Sequence, residues 1–374
     1  MNLKLEKCRI RVKLTPYNLS TAIITALASR IFIIFNAILG SYFIPIVNPN
    51  AWDTGLPILN LFARWDAGHY FRIADQGYDS SNLGFFPLYP LILKITSTPL
   101  EPFMPKLWAL NIASFTISNI FFFISIIGLY RLTYKVFQDN RIAFASTAFL
   151  SFYPTSVFLS AAYAESLTLA LTLWSFVMLE ERKLVKGSIL AFLAGLSRPI
   201  GFLASVPIFL SGLKDRSIKE TALAIFSASS IIVFDAYRYT LTGNFYTLST
   251  LYWLPRIPLS KPTLILNDLS PTVEINMALK ILSTITIMIA IASFITMAGK
   301  ATKYTIYCLA LLIAYFFYAS MQGLMRYSLM IITLYWLLAY VSAKNRTIET
   351  ILLCGTSTLL GLLTVIYANW YELP

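Results

Sequence analysis

The sequence predicts an all-α polytopic membrane protein: a bundle of roughly 9–11 transmembrane helices with a helical first external loop. Three observations carry this expectation. The 374 residues are 57% hydrophobic and only 12% charged, where a soluble domain holds about 25% charged residues. The mean hydropathy is +0.70, more apolar surface than a soluble fold of this length could hide. Apolar runs long enough to cross a bilayer recur along the chain, separated by short loops that carry the basic residues.

The formal charge of +12 does not point to nucleic acid. Its lysines and arginines are spread over short loops between apolar runs, which is the positive-inside pattern rather than a groove-lining patch. Cys8, Cys308 and Cys354 lie far apart and have neither disulfide-framework nor zinc-site spacing. A single histidine, His69, argues against a histidine-rich metal centre. The basic N-terminus (Lys4, Lys7, Arg9, Arg11, Lys13) precedes apolar residues 18–46. That run is too long for the apolar region of a signal peptide and lacks a small-residue cleavage site, so it is expected to remain as the first span.

With the N-terminus in the cytoplasm, the basic loops order the remaining spans. Span 18–46 leads out, 106–130 returns to Arg131, Lys135 and Arg141, and 142–160 leads out again. Span 164–180 returns to Arg182, Lys183 and Lys186, and 220–239 leads out. Span 276–298 returns to Lys300 and Lys303, 304–320 leads out, 326–342 returns to Lys344 and Arg346, and 348–368 leads out. Residues 187–212 lie between two basic clusters, so a single crossing conflicts with the charge pattern. Ser197-Arg198-Pro199 interrupts this run, and proline both removes a helical hydrogen bond and restricts the residue before it. A hairpin of two half-spans, 187–197 and 199–212, removes the conflict; one kinked helix is the alternative. The chain then reads as a single integral membrane domain, 1–374, with two long external segments, 47–105 and 240–275. No internal repeat and no glycine-rich phosphate loop is present.

The first external segment carries the densest chemistry. It reads Arg64-Trp65-Asp66-Ala67-Gly68-His69-Tyr70, then Arg72-Ile73-Ala74, Gly77-Tyr78 and Phe85-Phe86-Pro87-Leu88-Tyr89-Pro90. Residues 56–77 place Leu56, Leu59, Phe62, Ala63, Ala67, Tyr70, Phe71 and Ala74 on one broad face, which predicts an amphipathic interfacial helix. Trp65 and Tyr70 suit the aromatic belt. An aspartate between aromatics at an interface can be partly desolvated and serve as a general base, with the His69 imidazole within a turn. Against this stands a plainer pair of roles: Asp66 as a helix cap and His69 in a surface hydrogen bond. Asp75 and Asp79 read as turn residues beside Gln76-Gly77-Tyr78. Phe85 to Pro90 predicts a rigid aromatic turn leading into a short re-entrant helix over 88–96.

At these residues the chain resembles the PIG-V-type mannosyltransferases, membrane enzymes of the GT-C glycosyltransferase superfamily. The likeness continues more loosely through Tyr163-Ala164-Glu165-Ser166, Gly195-Leu196-Ser197-Arg198-Pro199-Ile200-Gly201 and Arg326-Tyr327. The resemblance implies a GT-C-like bundle and a polyprenyl-phosphate-linked sugar donor, usually mannose. It also implies transfer on the non-cytoplasmic face and a catalytic aspartate in the first external loop, here Asp66.

The residues themselves agree with such chemistry. Leu-, Ile- and Phe-rich spans offer a groove for an isoprenoid, and a leaving phosphate needs cationic donors. Arg198 lies at membrane level beside a helix break, where an ionisable residue is a functional candidate. Arg326 opens a late span at its external side, and Arg256 and Lys261 stand in the second external loop, each with a role as a snorkelling interfacial cation as its alternative. Arg30, inside the first span, is expected to pair with an acid such as Glu165 or Asp235. Glu165 either holds an acceptor hydroxyl, orients an arginine, or merely complements a helix dipole.

The expected activity is inverting transfer of mannose from a polyprenyl (dolichyl) phosphate to a hydroxyl of a lipid-linked glycan or glycolipid. Asp66 is the expected base; Arg64, Trp65, His69, Glu165, Arg198, Arg256 and Arg326 are the expected substrate-binding residues. The sequence demands no metal or other cofactor, although an Asp66–Glu165 pair around a divalent ion is an open arrangement. Two other classes compete: a secondary transporter or flippase for a lipid-linked sugar, and a non-catalytic subunit of a glycosylation complex. The expected setting is the lipid bilayer of the cell membrane, or of the endoplasmic reticulum in a eukaryote, with a partner subunit possible and no nucleic acid involved.

Overall fold

The computed structural model describes residues 17–47, 55–79, 81–243, 274–318 and 324–371. Arg256, Lys261 and nearly all of the expected second external loop lie outside them. The described residues are overwhelmingly helical, with no strand among them. In chain order the longer helices are α1 (Leu19–Phe43), α2 (Ala67–Gln76), α3 (Leu88–Ser97), α4 (Lys106–Phe137), α5 (Asn140–Ser151), α6 (Glu165–Glu180) and α7 (Leu184–Ser197). After a 3₁₀ turn over Pro199–Ser205 come α8 (Val206–Lys214), α9 (Ile218–Ala228), α10 (Ser230–Thr242), α11 (Glu274–Met297), α12 (Thr302–Tyr318), α13 (Ile332–Ser342) and α14 (Arg346–Ala368).

Among the described residues, four helical stretches are long and apolar enough to cross a bilayer: Leu19–Phe43, Lys106–Phe137, Ala278–Met297 and Arg346–Ala368. Shorter apolar stretches, Leu184–Ser197, Pro199–Lys214, Thr302–Tyr315 and Ile332–Ser342, complete the bundle. The outer helices bury small residues and turn large ones outward. In α1, Ala22, Ala26, Ala37 and Gly40 are buried while Ile24, Ile31 and Phe35 are exposed. Gly40 lets α1 approach Val365 of α14, and Gly361 of α14 lies against Asn36 of α1. Small residues at helix contacts are what close packing in lipid requires.

Several boundaries differ from the expected spans. The span read as 106–130 runs on to Phe137, because Lys135 near its C-terminus suits the helix dipole and reaches Glu181 at 3.5 Å. The span read as 142–160 stops at Ser151, where Pro154 and the residue before it cannot continue a helix. The resulting connection, 152–164, is buried irregular backbone whose carbonyls need donors. Arg30 supplies them. Rather than pairing with Glu165 or Asp235, it donates to the carbonyls of Ser151 (3.0 Å) and Ser156 (3.1 Å) and to the hydroxyls of Ser156 (2.7 Å) and Ser160 (3.0 Å). Its guanidinium lies 3.8 Å from the Phe122 ring centroid. Asp235 pairs instead with Arg238, one turn along α10. The span read as 220–239 is two helices joined at Ser229, whose hydroxyl turns back to the carbonyl of Phe226 (2.7 Å).

The segment 184–214 leaves one end of the bundle and comes back to it. Arg182, before α7, donates to Asp215, after α8, at 2.8 Å. Arg182 is 70% exposed and Asp215 36%, so this pair marks the closure and adds at most about 1 kcal/mol. The reversal is at Arg198, whose backbone is extended (φ −153°, ψ 152°). A Cβ on Gly201 would stand 1.9 Å from the carbonyl oxygen of Ala194, so the returning chain can lie on the end of α7 only with glycine there. The apex of this reversal faces the start of α6, and that places Arg198 in the site.

Candidate active site

The expected amphipathic helix over 56–77 is interrupted. A short helix, Pro57–Asn60, gives way to a turn over 61–66, and α2 begins at Ala67. The turn closes through Trp65, which occupies the left-handed region (φ 49°). A bulky side chain rarely adopts that conformation, and holding it costs about 1–3 kcal/mol. Asp66 follows in a helical conformation (φ −59°, ψ −21°) and its side chain makes no capping hydrogen bond to α2. Capping residues are normally extended, so the backbone sends this carboxylate elsewhere. It accepts from Arg326 Nη2 at 2.8 Å.

Arg326 comes from a short helix, Leu324–Tyr327, between α12 and α13. Its Nε donates to Glu165 Oε1, and the same oxygen accepts from Arg198 Nη1. Glu165 is the first residue of α6 and its side chain is 1% exposed. A carboxylate so deep in a protein is tolerated only with paired cations, and here it has two. The Glu165 Oε2 atom has no hydrogen-bond partner among the described residues. Aromatic rings wall the group: Arg326 lies 4.4 Å from the Tyr163 centroid and 5.1 Å from that of Phe158, and Arg198 lies 5.5 Å from that of Tyr327.

The cluster is two carboxylates and two guanidiniums, so its formal charges cancel. Its exposure is graded: the Asp66 side chain is 28% exposed, those of Arg326 and Arg198 are 12%, and Glu165 is closed off. The reachable acid is therefore Asp66, backed by cations. Each guanidinium has five N–H donors, and its bonds to Glu165 and Asp66 leave others for an anion beside Asp66. No group of three or more His, Cys, Asp or Glu side chains comes together among the described residues. Asp66 and Glu165 share the Arg326 guanidinium, so a divalent ion between them would have to displace a cation already there. The residues present fit an organic cation bridge, not a metal cage.

The other predicted residues divide. His69 stacks on Phe85 (centroids 4.6 Å, 17°), and Tyr70 meets both Phe85 and Tyr89 edge-on. The Phe85–Pro90 turn thereby braces α2. Trp65 is 40% exposed and lies beside Asp66. Arg64 is 3% exposed and turned away from the cluster: its Nε donates to the carbonyl of Ala368 at 3.0 Å, and its guanidinium lies 5.0 Å from the Trp370 centroid. Asp75 is not a turn residue; it sits in α2 and pairs with Lys106. Asp79 does shape a turn, accepting from the Ser81 N–H (2.7 Å) and hydroxyl, and those bonds lower its pKa.

Sequence reading gave Tyr163 no role beyond its place next to Glu165. Its hydroxyl donates to the Arg64 carbonyl at 3.0 Å, and burial pushes its phenol well above the ordinary value, so it stays a donor. Tyr367 and Trp370, at the far end of the chain, had no signal at all.

Residues 30–223 match the family model described as Mannosyltransferase (PIG-V). GPI alpha-1,6-mannosyltransferase 2 of Rattus norvegicus is 31% identical over 143 residues, covering 37% of this chain and 29% of that protein. The Homo sapiens protein of the same name is 31% identical over 139 residues, covering 36% and 28%. The chain thus aligns with less than a third of these relatives' length. In fold, the Archaeoglobus fulgidus oligosaccharyltransferase superposes with a TM-score of 0.51 at 14% identity, covering 94% of this chain and 53% of that one. Since the family match takes in more than half of the sequence, the chain belongs to the PIG-V mannosyltransferase family.

Proposed function

We propose that this protein transfers mannose from a polyprenyl-phosphate carrier to a hydroxyl of a lipid-linked glycan or glycolipid, with inversion, at the non-cytoplasmic face of a membrane. One observation carries the reading. A partly exposed aspartate, held in a strained turn, shares an arginine with a buried glutamate that also binds a second arginine.

In the reaction, the acceptor O–H loses its proton to Asp66 as the oxygen bonds to the anomeric carbon. The bond from that carbon to the phosphate oxygen breaks, and the polyprenyl phosphate leaves with the electron pair. Arg326 and Arg198 offer donors to the phosphate, whose charge rises as it departs. Glu165 holds both guanidiniums at one spot, so their placement precedes substrate binding. Trp65, with an accessible indole beside the base, suits the apolar face of a sugar ring; His69 and Phe85 stack on each other along α2. A single displacement needs one base and no second carboxylate as nucleophile.

The face is argued from charge. The end opposite Asp66 gathers Lys135, Arg182, Lys214, Lys300 and Lys303 around a cavity of about 550 Å³. Basic residues concentrate on the cytoplasmic side, which supports the opposite face for Asp66. Family membership favours an enzyme over a carrier or a non-catalytic subunit.

The test is incubation of the purified chain in detergent with polyprenyl-phosphate mannose and a panel of lipid-linked glycans, followed by mass analysis and determination of the new anomeric configuration. A product one hexose heavier, with configuration opposite to that of the donor, is expected. Retention, or transfer from a nucleotide-linked mannose instead, would contradict the reading.

A further inference from the structure

The end of α14 and the residues just after it reach back onto the Asp66 turn. Tyr367 donates its hydroxyl to the carbonyl of Phe62 at 3.3 Å. Arg64 Nε donates to the carbonyl of Ala368 at 3.0 Å and its guanidinium covers Trp370. Trp370 then meets Trp65 edge-to-face, with centroids 5.3 Å apart. Tyr163 packs edge-on against Tyr367 and donates to the carbonyl of Arg64. Phe62, Arg64 and Trp65, three of the four residues 62–65, are thus held from outside the turn.

Both tryptophans of the pair are in the left-handed region, Trp65 at φ 49° and Trp370 at φ 64°. Trp370 is 8% exposed and Trp65 is 40% exposed. The buried ring is the fixed wall and the accessible ring leans on it. A left-handed tryptophan relaxes unless its surroundings hold it, and its relaxation would rotate the next residue, which is Asp66. Residue 370 lies 147 positions past residue 223, the end of the family match (370 − 223).

We infer that Trp370 is a positioning residue for the transfer reaction: its ring holds Trp65 in the left-handed turn that aims Asp66 at the acceptor. It touches no substrate and acts through Trp65. The inference rests on the reading of Asp66 as the base. It predicts a loss in the chemical step and not in donor binding, because Arg198 and Arg326 keep their bonds to Glu165 when the Asp66 turn relaxes.

The experiment compares four forms of the full chain by steady-state transfer: wild type, Trp370→Leu, Trp370→Phe and Asp66→Asn. Leucine fills the space without a ring, and phenylalanine keeps a ring against Trp65. The expected result is a kcat about 10- to 100-fold lower for Trp370→Leu, since a displacement of about 1 Å in a reacting group can cost that much. The donor KM should stay within about twofold, and Trp370→Phe should recover most of the loss. A Trp65→Gly background is the decisive control, because glycine adopts φ > 0 without the penalty. There, adding Trp370→Leu should change kcat little. Equal rates for the leucine and phenylalanine variants, a raised donor KM, or independent multiplication of the two losses would overturn the inference. An active Asp66→Asn would instead overturn the reading on which it rests.

Discussion

Arg326 touches both carboxylates of the site. Replacing it with lysine keeps the charge and removes the fork that reaches two acids at once. Each lost charged hydrogen bond is worth about 1.5–3 kcal/mol, so Arg326→Lys should lower transfer roughly 10- to 150-fold, measurable as kcat/KM for the donor. Glu165→Gln leaves two guanidiniums facing each other without their shared anion. Breaking a buried pair costs about 3–5 kcal/mol, so this variant should show a markedly lower thermal midpoint in detergent, recovered in part by Glu165→Asp. Asp66, Glu165, Arg198 and Arg326 were all readable as candidates, because a charge inside or beside an apolar run is conspicuous in sequence. Their partnership was not, since Asp66 and Arg326 stand 260 positions apart. Arg30 was misjudged for the converse reason. An arginine that satisfies backbone carbonyls has no acid in the sequence to give it away, and Arg30 serves irregular backbone that only the folded chain reveals.

At the scale of elements, the break at Arg198 sets the depth at which a guanidinium meets Glu165. Gly201→Ala tests it. With the new methyl 1.9 Å from the Ala194 carbonyl, the return from α7 has to open, and overpacking of this kind costs about 1–3 kcal/mol. The expected outcome is a lower unfolding midpoint together with weaker donor binding, because Arg198 moves with the apex. A variant as stable and as active as wild type would show that the reversal tolerates a shift. The proline beside Arg198 made an interruption legible before any coordinates. Helix ends were less so: hydropathy does not mark where α4 stops, since Lys135 favours the C-terminal turn it occupies. The break inside 56–77 was legible only as one of two options, Asp66 within a helix or capping one, because apolar periodicity runs through Trp65 while the helical backbone does not.

Over the whole molecule, alternating apolar runs and basic loops foretold an all-helical bundle, and the described residues form one. What the pattern could not supply is contact between distant helices, such as α1 with α14 or the end of α14 with residues 62–65, because those depend on surface shape and not on period. The sidedness argued from charge is open to labelling. In a chain freed of its native cysteines, Asp79→Cys should react with an impermeant maleimide in sealed, outward-facing vesicles, and Arg216→Cys should react only after permeabilisation; the reverse pattern would place the site on the cytoplasmic side.

The measurement that bears most directly on the mechanism is the transfer rate of purified Asp66→Asn beside wild type, with polyprenyl-phosphate mannose and a lipid-linked acceptor. The amide keeps the side chain's shape and can still meet Arg326 through its oxygen, but it cannot take a proton. General-base assistance contributes roughly 10²–10⁴-fold. A fall of that size with donor binding intact is the expected result, and mannose transfer at the wild-type rate would contradict the assignment of Asp66.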